Sequence, residues 1–445
     1  MEKCLKWNME LYFEKYTYEK YILVLKEKNK RAIINDVAFE IIKKFNGVKN
    51  YDAGIDKLAK MYNDNKKHVK ENVDEFLKCF KLEYGIELIE VNANEVLPIE
   101  IVGEISYYPK AASIEITERC NLKCLHCYGS YGECLAGEMK LSDVKKILKD
   151  LDDIGVTTIE LTGGDISTYN YLLEVLQYAI SLKFQKINVL SNGLILKEEI
   201  MTYIISHKDR ISGQIDLHSL SDNYLYWFTG VKNTATKLQN VIEYLLNNGV
   251  ELRLATIFTK KNLKEFLNIG EWVFNHKAKW GIGLVENLGR AVSGDDSLYL
   301  SEQEIIQFQD MLNTANEMYP NMISFIDYVP NDNNCGAITT HVVIDVKGSI
   351  KLCTMDNGTY FKNEMGNCLK RPIREIFDDN VKFVYALTKY ELPNTCNEEC
   401  MKCSKFYGCS RCMLRNFINM KENDLKCKWY IYNVPDEVKK KFFEV

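Results

Sequence analysis

Three cysteines, Cys120, Cys124 and Cys127, fall in the stretch from Ile114 to Tyr128 with the spacing C-x3-C-x2-C. The alternating, β-prone run Ala112 to Thr117 leads straight into them. A strand sends successive side chains to opposite faces, so the loop after it must gather the sulfurs. Three thiolates bind three irons of a cubane [4Fe–4S] cluster, whereas a closed cluster of this type takes four cysteines. The missing fourth ligand leaves one iron open to a small molecule. A zinc site, or three unrelated buried thiols, are the competing readings.

A second, denser set follows. Nine of the fifteen cysteines lie from Cys335 onward. Cys335 is followed by Gly348 and Cys353, then by Cys396-x3-Cys400-x2-Cys403-x5-Cys409-x2-Cys412, and finally by Cys427. In a long chain with no signal peptide at its start, such density indicates metal ligands rather than disulfides. Val342 to Cys353 reads as a hairpin that delivers a ligand at its exit. Cys-x2-Cys pairs are hooks for zinc as well as iron.

On these residues the chain resembles the radical S-adenosylmethionine (SAM) superfamily. The resemblance implies that the open iron on the loop of Cys120, Cys124 and Cys127 chelates the amino and carboxylate groups of SAM. One electron then cleaves a C–S bond and yields a 5′-deoxyadenosyl radical. His126 fills the place usually held by an aromatic residue. Leu161-Thr162-Gly163-Gly164-Asp165 resembles the family's Gly-Gly-Glu motif, which holds the SAM amine, with Asp one methylene shorter. Glycines also let backbone approach a ligand closely. Ser191, at the third strand end, is implied as part of the SAM pocket. Asp216-Leu217-His218 stands where related maturases show Ser-Leu-Asp, and Asp216 is implied to bond the ribose hydroxyls. Thr229 or Lys232 stands where relatives place an Arg for the SAM carboxylate. His218 is either a proton-transfer group or a structural histidine.

The tail resembles the SPASM extension of these enzymes, and its Cys409-x2-Cys412 ending is similar to thioether-forming, subtilosin A-type maturases. This implies two auxiliary [4Fe–4S] clusters. One would use Cys335, Cys353 and Cys412, completed by Cys396, Cys368 or substrate. The other would use Cys400, Cys403, Cys409 and Cys427. With the first cluster upstream, iron is the expected metal rather than zinc.

Strand and helix patterns alternate six times around the first loop. The strands are expected at 112–117, 157–162, 187–191, 212–217, 251–258 and 280–286, with amphipathic helices between them, the first starting at a Ser142 cap. Alternation of this kind gives a parallel sheet with right-handed crossovers. The fold class is therefore α/β, an open, TIM-like (β/α)6 radical SAM barrel with its chemistry at the C-terminal strand ends. Boundaries are expected at 1–95 for an N-terminal domain, 96–110 for a linker, 111–300 for the barrel and 301–445 for the cysteine-rich domain, which opens on a helix capped by Ser301.

Residues 1–95 pattern as a hairpin of Tyr21–Leu25 and Arg31–Ile34 followed by three helices, a winged-helix-like unit. It resembles the recognition element of ribosomal-peptide maturases, which implies that it holds a leader peptide as an added strand. The third helix is mixed in charge, which speaks against DNA binding. Net charge is −5, and no apolar run reaches the roughly 18 residues of a membrane span, so neither a nucleic acid nor a membrane is an expected partner. A cytoplasmic enzyme is expected, drawing electrons from a flavodoxin or ferredoxin. Its expected reaction forms Cys-to-carbon thioethers in a precursor peptide, as in sactipeptides and ranthipeptides. C–C or C–O crosslinking, epimerisation and sulfatase maturation are the alternatives, and a catalytically idle leader-binding scaffold is the non-enzymatic one.

Overall fold

The computed structural model describes residues 3–15, 20–25, 30–96, 98–101, 107–132, 137–323, 334–356, 358, 365–394 and 397–443. They divide into two units, Met1–Tyr107 and Tyr108–Val445.

The first unit contains β1 (Lys3–Trp7), β2 (Tyr12–Lys15), β3 (Lys20–Leu25), β4 (Lys30–Asn35), α1 (Asp36–Phe45), α2 (Tyr51–Tyr62), α3 (Lys66–Tyr84), β5 (Leu88–Asn92) and β6 (Glu100–Ile101). Each helix starts at an asparagine whose side chain accepts a backbone N–H: Asn35 from Ala38, Asn50 from Ala53, and Asn65 from Lys67. These caps satisfy donors that the first turn leaves open. The sheet runs β4-β3-β2-β6, and β1 pairs antiparallel with β5. Two pieces of the 88–101 stretch are thus strands, paired with β1 and β2. β5, Leu88-Ile-Glu-Val-Asn, has the β-prone residues of a strand, whereas β6, Glu100–Ile101, is too short to show a period. Trp7, Phe13, Phe39, Phe45 and Phe80 fill the core, and the Trp7 indole donates to Ile42 O at 2.9 Å.

The second unit is built on β7 (Ala111–Thr117), α4 (Leu141–Asp153), β8 (Thr158–Gly163), α5 (Leu172–Ser181), β9 (Lys186–Ser191), α6 (Glu198–Ser206), β10 (Ile211–Asp216), α7 (Asp222–Thr229), α8 (Ala235–Asn247), β11 (Leu252–Phe258), α9 (Phe266–Asn275) and β12 (Lys279–Leu284). The six strands are parallel and lie in sequence order. α4 begins at Leu141 after Lys140, which gives no side-chain cap, so Ser142 lies inside the first turn. α10 (Glu302–Met318) does start at Ser301, which forms a reciprocal capping box with Glu304.

One register row of the parallel sheet is polar although buried: Ser113, Glu160, Asn188 and Ser212 stand side by side on β7 to β10. Ser113 bonds Glu160, Ser212 bonds Asn188, and His341 joins the row with Nε2 2.8 Å from Ser113 Oγ and 3.6 Å from Glu160 Oε2.

The hairpin of β13 (His341–Ile344) and β14 (Ile350–Lys351) does not stand apart. β13 pairs in parallel with β7, giving one eight-stranded sheet in the order β12-β11-β10-β9-β8-β7-β13-β14. The strand that enters the first cysteine loop and the hairpin that exits at Cys353 are therefore neighbours. A buried ion pair crosses this seam, with Lys351 Nζ 2.8 Å from Glu115 Oε1 and both side chains under one-tenth exposed. Removing one partner of such a pair costs about 3–5 kcal/mol, whereas an apolar pair of similar volume is often tolerated. Lys351→Met is accordingly expected to lower stability by about that amount in denaturant titration, and Glu115→Leu combined with Lys351→Met to recover most of it.

Candidate iron–sulfur and SAM site

The loop after β7 carries Cys120, Cys124 and Cys127 and has no regular structure of its own. Its shape is imposed by neighbours. Gly164 N donates to Thr117 O and Asp165 N to Arg119 O, each at 2.7 Å, so the end of β8 grips the approach to Cys120. Both glycines are needed for that grip, because a Cβ on Gly163 would lie 2.2 Å from Thr117 O and one on Gly164 2.2 Å from Arg119 O. The Gly-Gly pair thus brings β8 against the chain's own backbone. Asn192, after β9, donates through Nδ2 to Asn121 Oδ1 at 2.8 Å.

From the other side, Lys123 N and Leu125 N donate to Thr229 O and Phe228 O, both at 2.9 Å. The carbonyls at the C-terminus of α7 need external donors, and the cysteine loop supplies them. Thr229 serves through this carbonyl; its hydroxyl is buried and donates back to Leu225 O.

Sequence reasoning missed Arg290. Its Nε donates to Cys124 O at 2.9 Å, its Nη1 to Tyr131 O at 2.8 Å, and its own N–H to Cys127 O at 3.0 Å. Gly289, at φ +56°, allows this approach, since a Cβ there would lie 2.3 Å from Cys127 O. The Gly-Arg pair after the last barrel strand was the available signal.

The donor set fits an iron–sulfur cluster. None of the described cysteines is in a disulfide. Burial pushes the Cys120 thiol up to about 11, and holds Cys124 well above the ordinary range against the opposing charge of Arg290. Thiols so placed ionise when a bound cation supplies the compensating charge. Leu122 N lies 3.4 Å from Cys120 Sγ, a donor of the kind that tunes cluster sulfurs.

The tail cysteines assemble into two groups. Cys353 is half-buried and feels the charges of Cys412 and Cys335. Cys400 feels Cys427, Cys409 and Cys403, and Asn419 Nδ2 lies 3.2 Å from Cys409 Sγ. Cys368 is fully buried, its nearest charges are Lys146, Asp150 and Asp345, and burial pushes it up to about 12. Cys134 and Cys396 lie outside the described residues. Among the described residues no three Cys, His, Asp or Glu side chains close in as a single ion would require.

Tyr128 joins the two regions. It follows Cys127, is half-buried, bonds Tyr131, and lies within electrostatic range of both Cys127 and Cys353. Tyr131 in turn bonds Glu115, the partner of Lys351.

The remaining pocket residues divide sharply. Asp165 is buried and held by its neighbours: Oδ1 accepts Ser167 N at 2.8 Å and the Ser167 hydroxyl, Oδ2 accepts Asn192 N at 2.7 Å, and Ser191 Oγ stands at 3.0 and 3.1 Å from the two oxygens. Asp216 lies deep but open, its side chain 39% exposed. Burial first, and the Asp165 charge second, raise its carboxyl to about 7. His126 stacks on Phe228 at 4.7 Å, with His218 edge-on to both rings at 4.9 Å. Burial lowers His126 to about 4 and holds His218 well below the usual imidazole range.

A parallel β/α sheet whose first strand ends in a three-cysteine loop, joined to a second cysteine field, defines a class of iron–sulfur radical enzymes. Residues 114–273 match the Radical SAM superfamily and residues 335–404 the SPASM iron-sulfur cluster-binding domain. The chain thus carries a radical SAM domain, a kind that binds SAM and a [4Fe–4S] cluster, and a SPASM domain, a kind that binds auxiliary iron–sulfur clusters. It is 26% identical over 405 residues to the antilisterial bacteriocin subtilosin biosynthesis protein AlbA of Bacillus subtilis, covering 89% of this chain and 88% of AlbA. To the sporulation killing factor maturation protein SkfB of the same organism it is 28% identical over 233 residues, or 52% of this chain and 56% of SkfB. The crystal structure of Streptococcus suis SuiB bound to S-adenosylmethionine shares the fold, with TM-score 0.61, 15% identity, and coverage of 98% and 100% of the two chains.

Arg290→Ala removes two charge-assisted bonds from the loop, each of about 1.5–3 kcal/mol. Anaerobically reconstituted variant protein is expected to lose much of the first cluster's iron while the tail's iron stays, read by iron counting and by EPR before and after adding SAM.

Proposed function

We propose that the chain matures a ribosomally made precursor peptide by linking cysteine sulfur to carbon in thioether bridges. The observation that carries this reading is the seating of the Cys353 hairpin on the strand that delivers Cys120, with Tyr128 between the two cysteine fields. The likeness to AlbA along most of both chains points the same way. When bound, the cofactors supply a hydrogen-abstracting 5′-deoxyadenosyl radical and an acceptor for the electron left when sulfur joins carbon.

The chain's own task is positioning and exclusion. β8, β9, α7 and Arg290 hold the first loop from four sides, so the site is preorganised before SAM arrives. The packed rings of His126, Phe228 and His218 seal one wall against water. Closing one bridge removes one hydrogen atom from carbon and one proton from sulfur, and releases one electron.

Residues 1–95 hold the leader in this reading, 96–110 link it to the barrel at 111–300, and 301–445 carry the auxiliary sites. Among the described residues β4 ends its sheet with β3 as its one strand partner, and a sheet edge of that kind offers main-chain bonds to an added strand. The same unit has a cleft of about 490 Å³ lined by Trp7, Met9, Leu11, Tyr12, Pro98 and Ile99 among others. The protein works in the cytoplasm, supplied with electrons by a flavodoxin or ferredoxin.

Incubated anaerobically with SAM, dithionite and a cysteine-containing precursor, the holoenzyme is expected to form 5′-deoxyadenosine and peptide lighter by two hydrogens per bridge. Replacing the core cysteines by alanine should abolish the mass loss. Crosslinking that persists without those cysteines contradicts the thioether assignment.

A further inference from the structure

Two side-chain amides converge on one sulfur of the tail. The helix Met413–Glu422 carries Asn416 and Asn419, three residues apart and so on one face. Asn419 Nδ2 donates to Cys409 Sγ at 3.2 Å, and Asn416 bonds the same sulfur.

Asn416 is held in place from behind. It is 1% exposed, and its Oδ1 accepts the Tyr390 hydroxyl. An amide oxygen only accepts, so the phenol donates there and the amide nitrogen is left for the sulfur. Tyr390 is itself fully buried, and its backbone is tied down by Asn334. Asn334 Nδ2 donates to Tyr390 O at 2.7 Å and to Leu387 O at 3.0 Å, while Oδ1 accepts Gly336 N at 2.8 Å. Asn334 precedes Cys335, so bonded residues run without a break from the first tail group to the second.

The helix itself has no use for these amides. Asparagine is among the poorer helix formers, and a buried amide needs partners to offset its desolvation. An uncharged thiol is a weak acceptor and gives little in return. A metal-bound thiolate is charged and only accepts, so donors to it are charge-assisted and stronger.

We infer that Asn416 and Asn419 are positioning residues that set the reduction potential of the second auxiliary cluster through Cys409, and that Tyr390 orients Asn416 for this task. Hydrogen bonds to cluster sulfurs stabilise the more negative, reduced state, so the two amides raise the potential. The inference rests on the reading that Cys400, Cys403, Cys409 and Cys427 hold an iron–sulfur cluster. It is independent of SAM and of the peptide product, so its test needs neither.

The test uses full-length, reconstituted protein with Cys120, Cys124 and Cys127 replaced by alanine, which leaves the EPR signals of the tail. A dye-mediated potentiometric titration follows these signals beside iron and zinc counts, and adding Cys335→Ala identifies the signal of the first tail cluster. Asn419→Leu is expected to keep its iron and to lower the second cluster's one-electron reduction constant about tenfold, a shift of about 59 mV. Asn416→Leu should act in the same direction, and Asn419→Gln, which keeps an amide donor, should recover part of the loss. Tyr390→Phe removes the hydroxyl alone and should shift the same cluster downward by less; should Asn419→Leu shed iron, this variant decides. The first tail cluster should hold its potential throughout. The inference is overturned if the iron-retaining variants leave the second cluster's potential unchanged or raise it, or if the shift falls on the first tail cluster instead. Zinc in place of iron in the tail of the unmutated protein would refute the cluster reading itself.

Discussion

Eight residues that must present three sulfurs to one cluster cannot hold that shape by internal bonding. A loop so short has no room for helix or ladder, and its backbone polar groups need partners elsewhere. The structure meets this constraint from outside. The ends of β8 and β9, the C-terminal carbonyls of α7, and the Arg290 guanidinium each take or give bonds to the loop between Thr117 and Tyr131. The parallel sheet brings these ends together because all its strands finish on one side.

The same logic explains why the tail shares the sheet. A free hairpin would place Cys353 loosely, whereas β13 in register with β7 ties it to the strand that delivers Cys120. The Glu115–Lys351 pair lies buried at that junction, where a mispaired register would leave a charge stranded. Buried ion pairs contribute little net stability, but removing one partner strands the other charge. Tyr128 and Tyr131 continue the polar contact from this junction to the first loop.

Much of this was legible in the residues. All six barrel strands were readable because buried β-branched runs alternate with amphipathic helices, and the cysteine spacings marked the two regions that match the radical SAM and SPASM families. Three features were not readable. The helix Asp222–Thr229 sits in an aromatic-rich stretch where periodicity is weak, and its role runs through carbonyl groups that every residue possesses. Arg290 is remote in sequence from the loop it clamps. Asp165 matched a motif by residue type, but the donors that fix its carboxylate come from other strand ends. Motif matching reports which side chains are near a ligand; hydrogen-bond accounting reports what holds them there.

The central claim is that the Cys120, Cys124 and Cys127 loop carries a cube with one vacant iron that SAM occupies. The most direct measurement is electron–nuclear double resonance on the reduced protein with SAM labelled by nitrogen-15 in its amine and oxygen-17 in its carboxylate. Hyperfine coupling to both labels, lost when the three cysteines are replaced by alanine, is the predicted result. A cluster signal without coupling to either label, or zinc in place of iron at this loop, would contradict the account.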